Sequence, residues 1–233
     1  MRHMLGAACG LMVGLAQPVF SQTAPAVVVE LYTSQGCTAC PPADDYMARF
    51  ADDPQIILLS LHVDYWDYIG WADKFASPAF TARQKSYARA INSRTIYTPQ
   101  IVVGGIDRVE GFDPPTFEGY LAVHRKAPQT VDLALTRVGD TLAIKASADA
   151  PFDVPARVDI VRYMPSQTVA IERGENAGRS VTYRNIVTSW ETLGEWTGQE
   201  PLALTAAVLG PDPVVVVVQA PGPSRILAAA RVK

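Results

Sequence analysis

The sequence predicts two structural units. Residues 22–129 read as an α/β domain, a mixed sheet flanked by helices with a helical insertion; residues 130–233 read as an all-β, antiparallel sandwich-like domain. Three observations predict this. Two apolar runs of strand length, Val27–Tyr32 and Ile56–Val63, flank an amphipathic stretch, and strand, helix, strand at that spacing implies a right-handed parallel crossover. Beyond Lys126-Ala127-Pro128 the pattern changes to short alternating segments punctuated by Gly and Pro, the mark of antiparallel strands. With 233 residues, 48% hydrophobic and 18% charged, the chain has enough apolar surface for a sizeable core.

The N-terminus reads as a secretory signal over residues 1–21. Arg2 and His3 precede an apolar stretch from Met4 to Ala16, and Val19-Phe20-Ser21 places small or medium residues before a cleavage after Ser21. The stretch is short for a bilayer span and is broken by Gln17-Pro18, so no transmembrane segment is expected in the mature chain. The expected location is therefore periplasmic or secreted. Cys9 would leave with the signal, and the mature chain keeps only Cys37 and Cys40. In an oxidising compartment such a pair cycles between disulfide and dithiol. As a staple it would do little, because it closes a very small loop.

The strand Val27–Tyr32 runs into the polar turn Thr33-Ser34-Gln35-Gly36, and then Cys37 and Cys40 open a helix. Ala43, Tyr46, Met47 and Phe50 recur at helical spacing. Pro41 and Pro42 fit only in the first turn, and Asp52-Asp53-Pro54 ends the helix. A helix start carries unpaired N–H groups and partial positive charge, which favour a thiolate. Cys37, nearer the turn, is the expected exposed nucleophile, and Cys40, one turn in, the sheltered resolving thiol. Two cysteines at this spacing also suit half of a zinc site, a copper site or a structural disulfide.

Ile56–Val63 should end beside the cysteines. It leads into Tyr65, Trp66, Tyr68 and Trp71, aromatics with polar tips that would wall a binding cleft or cap the sheet edge. Ser77-Pro78 starts a helix with Phe80, Tyr87, Ala88 and Ile91 on its apolar face, Arg83, Lys85 and Arg89 on its solvated side and Asn92 as its stop. Thr98-Pro99 enters the strand Ile101–Val103, where a proline fits a first position or a special turn. Gly104-Gly105 suits a hairpin returning over Ile106–Glu110. Asp113-Pro114 starts another helix, with Phe117, Tyr120, Leu121 and a packed His124. In the second unit, Val131–Leu135, Leu142–Ala146, Arg157–Met164, Gln167–Glu172, Val181–Ile186, Leu202–Leu209, Val214–Val218 and Arg225–Val232 read as strands. Residues Gly174–Arg179 read as a polar loop between strands, able to reach the cysteine site but more simply a plain surface turn.

The segments ELYTSQGCTACPPAD, HVDYWDYIGW, SPAFTARQKSYA and YTPQIVVGG resemble a group of secreted bacterial proteins catalogued as domain of unknown function 1223 and described as thioredoxin-like. The resemblance covers most of the mature chain and is strongest from Val29 to Gly105. It implies a thioredoxin-like fold and a redox role. Against the broader thioredoxin family, it implies Cys37 as nucleophile, Cys40 as resolving thiol and Pro99 as a cis proline facing them. Thr98, Trp66 and Tyr65 are then the expected contacts to a bound partner chain. The chain departs from that family in lacking a Trp before Cys37, in the inner dipeptide Thr38-Ala39 and in Pro41-Pro42. These positions help set redox poise.

A net charge of -3 without a basic run argues against nucleic-acid binding. There is no G-x-S-x-G, and His62 and His124 are the mature chain's only histidines, so no serine hydrolase signature exists. Glycine patterns for dinucleotides or phosphate loops are absent too. The expected function is an exported thiol–disulfide oxidoreductase acting on protein thiols or disulfides without a cofactor. The alternative is a periplasmic copper-binding protein using Cys37, Cys40 and His62, two thiolates and an imidazole suited to Cu(I).

Overall fold

The protein is described by a computed structural model covering residues 19–20 and 26–233. The expected signal and its cleavage point lie outside these residues except for Val19 and Phe20. Fifteen elements follow one another: β1 (Val19–Phe20), β2 (Val27–Thr33), α1 (Pro41–Ala48), β3 (Ile56–His62), α2 (Pro78–Ala90), β4 (Gln100–Val103), β5 (Asp107–Glu110), α3 (Pro114–His124), β6 (Val131–Val138), β7 (Thr141–Ala148), β8 (Ala156–Ala170), β9 (Ser180–Trp196), β10 (Leu202–Ala207), β11 (Val214–Gln219) and β12 (Ile226–Val232). A short 3-10 turn, Asp67–Ile69, lies in the aromatic loop after β3.

Among the described residues the strands form two sheets. A large mixed sheet runs β12-β11-β8-β9-β3-β2-β4-β5, and a small antiparallel sheet runs β1-β6-β7-β10. The expected crossover is present: β2 and β3 are parallel, with Thr33 opposite His62 at their carboxyl ends. The strands beyond residue 130 do not make a sandwich of their own. β8, β9, β11 and β12 extend the mixed sheet, and β6, β7 and β10 form the second sheet with β1. The reason is visible in β11. Its five valines are buried on both faces, as a strand covered on two sides must be. Val214, Val216 and Val218 meet the small sheet, while Val215 and Val217 join the core under α2. On the opposite face, α1 and α3 supply Ala43, Met47, Phe117 and Leu121 to a core over β2, β3 and β4.

Local signals set the boundaries. Ser77 caps α2 by accepting from the Ala79 N–H, and Asp113 caps α3 by accepting from the Thr116 N–H. Asn92 ends α2 in the left-handed region at φ 58°. At the β4–β5 turn Gly104 has φ 60°, and a β-carbon there would run into the His124 ring, which pairs with Asp107 at 2.8 Å. The predicted strands Arg157–Met164 and Gln167–Glu172 are one strand, β8. Pro165 falls opposite Asn185 in the register, and Asn185 is itself left-handed at φ 50°. Past Arg162 β8 pairs with β9 alone, so the proline falls on an edge segment of the strand.

Two side chains on α2 depart from expectation. Ile91 is 56% exposed, beyond the last helical turn. Arg83 is not solvated: it is buried and makes a two-pronged pair with Glu30 of β2, both contacts 2.7 Å. The Tyr32 and Tyr87 hydroxyls donate to the same carboxylate. Arg83 also donates to Gln219 of β11 and lies 3.6 Å from the Trp190 ring centroid of β9. A charge this deep needs every partner it has. Replacing Arg83 by Met should therefore destabilise the fold by about 3–5 kcal/mol, since Glu30 is left buried and unpaired. The double variant with Glu30→Gln should lose clearly less, and urea unfolding of both proteins checks this.

Candidate functional site at the CxxC turn

The carboxyl end of β2 delivers Thr33, Ser34, Gln35 and Gly36 to the turn, and Cys37 is joined to Cys40 by a disulfide with Cα atoms 5.4 Å apart. Cys40 is the N-cap of α1, and Pro41 and Pro42 fill its first two positions, as the first-turn rule requires. That arrangement limits the helix-start N–H groups that could stabilise a thiolate. The two prolines have no N–H, the Cys40 N–H is donated to Cys37 O, and those of Ala43 and Asp44 are donated to Cys40 O. No N–H of the first turn is left to face sulfur.

The expected exposure of Cys37 is also corrected. Cys37 is 1% and Cys40 0% exposed, although Thr38 and Ala39 between them are open to solvent. Two segments pack on the cysteine turn. Gly36 lies under the aromatic loop so closely that a β-carbon on it would come within 3.1 Å of Trp66 Cβ. From the other side comes the β8–β9 connection, whose sequence reads as a surface turn. Its Asn176 is 2% exposed and donates through Nδ2 to Gln35 O and Cys37 O, both at 2.9 Å.

The aromatic loop ties the turn to the proline. Trp66 Nε1 donates to Thr98 Oγ1 at 2.7 Å, and the Thr98–Pro99 bond is cis. Tyr65 packs beside them and donates to Gln84 Oε1 at 3.2 Å; burial pushes its hydroxyl up to about 12. Trp66, Tyr65 and Thr98 are thus brought together next to the cysteine turn.

Beneath the turn is a polar cluster that sequence reasoning did not single out. The Asp73 carboxylate accepts from the Gln35 N–H at 2.8 Å and pairs with His62 Nδ1 at 2.6 Å. Gln35 Oε1 accepts from Trp71 Nε1 at 2.7 Å. Asp44, one turn after Cys40, is buried and accepts from Thr33 Oγ1 at 3.1 Å. Burial pushes the Asp44 carboxyl well above its ordinary 3.8; the negative charges of Asp45 and Asp73 add to this, against the Thr33 hydroxyl. Gln35 Nε2, His62 Nε2 and Asn176 Oδ1 are buried here without partners. A position four after Cys40 was the one available clue to Asp44; nothing local marks Asp73. The soft donors Cys37, Cys40 and His62 are not assembled as a set. The sulfurs bond to each other, and among the described residues no group of three or more His, Cys, Asp or Glu is placed to hold a metal ion.

A mixed α/β protein with a buried CxxC disulfide between a central strand and the next helix is the class that this fold and site define. The chain belongs to the family described as Protein of unknown function (DUF1223), whose model matches residues 28–219. Among solved structures it is similar to protein AGR_C_4864 from Agrobacterium tumefaciens, at 32% identity and a TM-score of 0.76, over 91% of this chain and 95% of that one. It also shares its fold with HBP35 of Porphyromonas gingivalis, at 14% identity and a TM-score of 0.62, over 89% of this chain and 74% of that one. No curated protein matches the chain.

The raised Asp44 carboxyl has a consequence for stability. The folded state holds its proton more tightly than the unfolded chain does, so this group's contribution to stability is fully present at low pH and is lost as pH rises from 3.8 through the folded-state value. Asp44→Asn keeps the acceptor for Thr33 and removes the titration. The variant should match the wild type in acid and melt higher at neutral pH, the gap opening with pH. Thermal melts between about pH 4 and 8 check this.

Proposed function

We propose that this protein is an exported thiol–disulfide oxidoreductase with a thioredoxin-like first half, Cys37 and Cys40 being its redox pair. The observation that carries the reading is the disulfide itself, closed at the β2–α1 turn in a chain whose only other cysteine, Cys9, falls in the predicted signal. Export rests on that signal; among the described residues no helix is long and apolar enough to cross a membrane.

In the exchange, a partner thiolate attacks Cys37 Sγ, the Cys37–Cys40 bond breaks and Cys40 leaves as a thiolate that takes up a proton. A second partner thiolate then attacks the mixed disulfide and releases Cys37, so two electrons pass from a partner dithiol to the pair. The reverse sequence reduces a partner disulfide. Thr98, beside Pro99, is the proposed backbone ledge for the partner chain, with Trp66 and Tyr65 as its wall. Absence of free N–H groups at the start of α1 favours the reducing direction. A strongly oxidising couple needs a stabilised thiolate, and this turn supplies little to stabilise one.

Cys37→Ser should retain the fold and lose about 100-fold or more of the rate at which the protein, fed by a dithiol, reduces a model protein disulfide. The wild-type pair should equilibrate with glutathione nearer the reducing than the oxidising end of the known range. Undiminished rate in the serine variant removes Cys37 from the role.

A further inference from the structure

Thiol attack on Cys37 needs a path to Sγ opposite the Cys40 sulfur, and at 1% exposure Cys37 offers none. A segment packed on the turn has to move. The aromatic loop is firmly tied: Trp66 to Thr98, Trp71 to Gln35, and Asp73 to both Gln35 and His62. The tip of the β8–β9 connection is held differently. Between Glu172 and Ser180 only Asn176 is buried. The remaining tip bonds close the tip on itself: Ala177 N–H to Gly174 O, Gly178 N–H to Ile171 O and Arg179 N–H to Asn176 O. Gly174 and Gly178, at φ 76° and 83°, bracket Asn176 with left-handed residues.

Asn176 therefore carries the polar docking of the tip on the cysteine turn, while Gly174 packs beside Trp71 of the aromatic loop. Both Nδ2 hydrogens go to carbonyls of the cysteine turn, while Oδ1 is buried without a partner. The gain from two donated bonds is offset by a desolvated acceptor, so the docked tip is held only modestly. We propose that Asn176 is the access-determining residue of the redox pair: its amide latches the β8–β9 tip over Cys37, and a thiol reaches the sulfur only when the latch opens. The purpose of the latch rests on the exchange reading, but its existence does not.

Reduction of the native disulfide by a water-soluble phosphine tests it without any partner protein. The phosphine is oxidised to its oxide with the oxygen of a water molecule, whose two protons go with two electrons to the disulfide sulfurs. Asn176→Ala and Asn176→Asp, the latter equal in size but without the donors, should be reduced roughly tenfold or more faster than wild type at neutral pH. Glu175→Ala, an exposed neighbour, should not change the rate. The wild-type rate should level off with rising phosphine, limited by opening, and the Asn176 variants should level off later. In denaturant all should react alike. Folded Asn176 variants reduced at the wild-type rate overturn the proposal. Should these variants fail to fold, wild-type hydrogen exchange decides. The Gly178 and Arg179 amides should exchange through a local opening long before those of central β8 and β9; exchange only with global unfolding overturns the latch. A latch that passes while Cys37→Ser leaves exchange activity intact would sink the proposed function alone.

Discussion

The contact that makes one sheet of this chain is the parallel junction between β3 and β9. It is short, with a single register pair, Ser60 opposite Ile186. Side chains complete what backbone pairing leaves open. Ser60 Oγ donates to Arg184 O at 2.8 Å, and Asn185 Nδ2 donates to Ala51 O and Leu58 O at 3.1 and 3.2 Å. Asn is among the few residues other than Gly that adopt the left-handed backbone at modest cost, which lets β9 bend here and send its amide inward. Because β9 is anchored at this point, the β8–β9 arm is aimed across the carboxyl end of β3, and its tip falls on the cysteine turn.

The buried Glu30–Arg83 pair makes a second join. Glu30 lies on β2, Arg83 on α2, Gln219 on β11 and Trp190 on β9, so one guanidinium touches both halves of the mixed sheet and the helix above it. Such a pair adds little net stability relative to an apolar core of equal volume. Its effect is selective: any packing of α2 that separates the charges strands both of them in the interior. The orientation of α2, and with it the Gln84 that holds Tyr65 and bonds Gln100 Oε1, is thereby specified.

What was legible in the sequence was local. The apolar runs of β2 and β3, the caps at Ser77 and Asp113, the Asn92 stop and the cysteine turn depend on neighbours a few residues away, and spacing reports such neighbours. Arg83 was opaque because its partner lies 53 residues away; along α2 alone it resembles Lys85 and Arg89. The continuity of β8 through Pro165 was opaque because a strand tolerates proline where it has one neighbour, and that β11 leaves β8 after Arg162 is a fact about another strand. Asn176 sits in a polar, glycine-bracketed segment that has every local property of a surface turn, and its 2.9 Å bonds reach back 139 and 141 residues. The sharing of the C-terminal strands between two sheets followed from burial on both faces of β11, which a run of valines announces only when the second cover is known.

These features bear on how the turn can control reactivity. The usual devices make a cysteine reactive by lowering its pKa with helix N–H groups or a neighbouring cation. Here the first turn of α1 has spent its N–H groups on Cys37 O and Cys40 O, two prolines have removed two more, and the cluster beneath the turn holds two acids, Asp44 and Asp73, the second paired with His62. Burial keeps the first of these protonated at higher pH than usual, which limits the repulsion a thiolate would meet. What is left to govern the rate is access. Two segments from the two halves of the chain pack on the turn and meet at Gly174 and Trp71: the aromatic loop after β3 and the tip between β8 and β9. The C-terminal half thus packs on the cysteine turn, and the carboxyl ends of β2 and β3 are where the two halves have to agree.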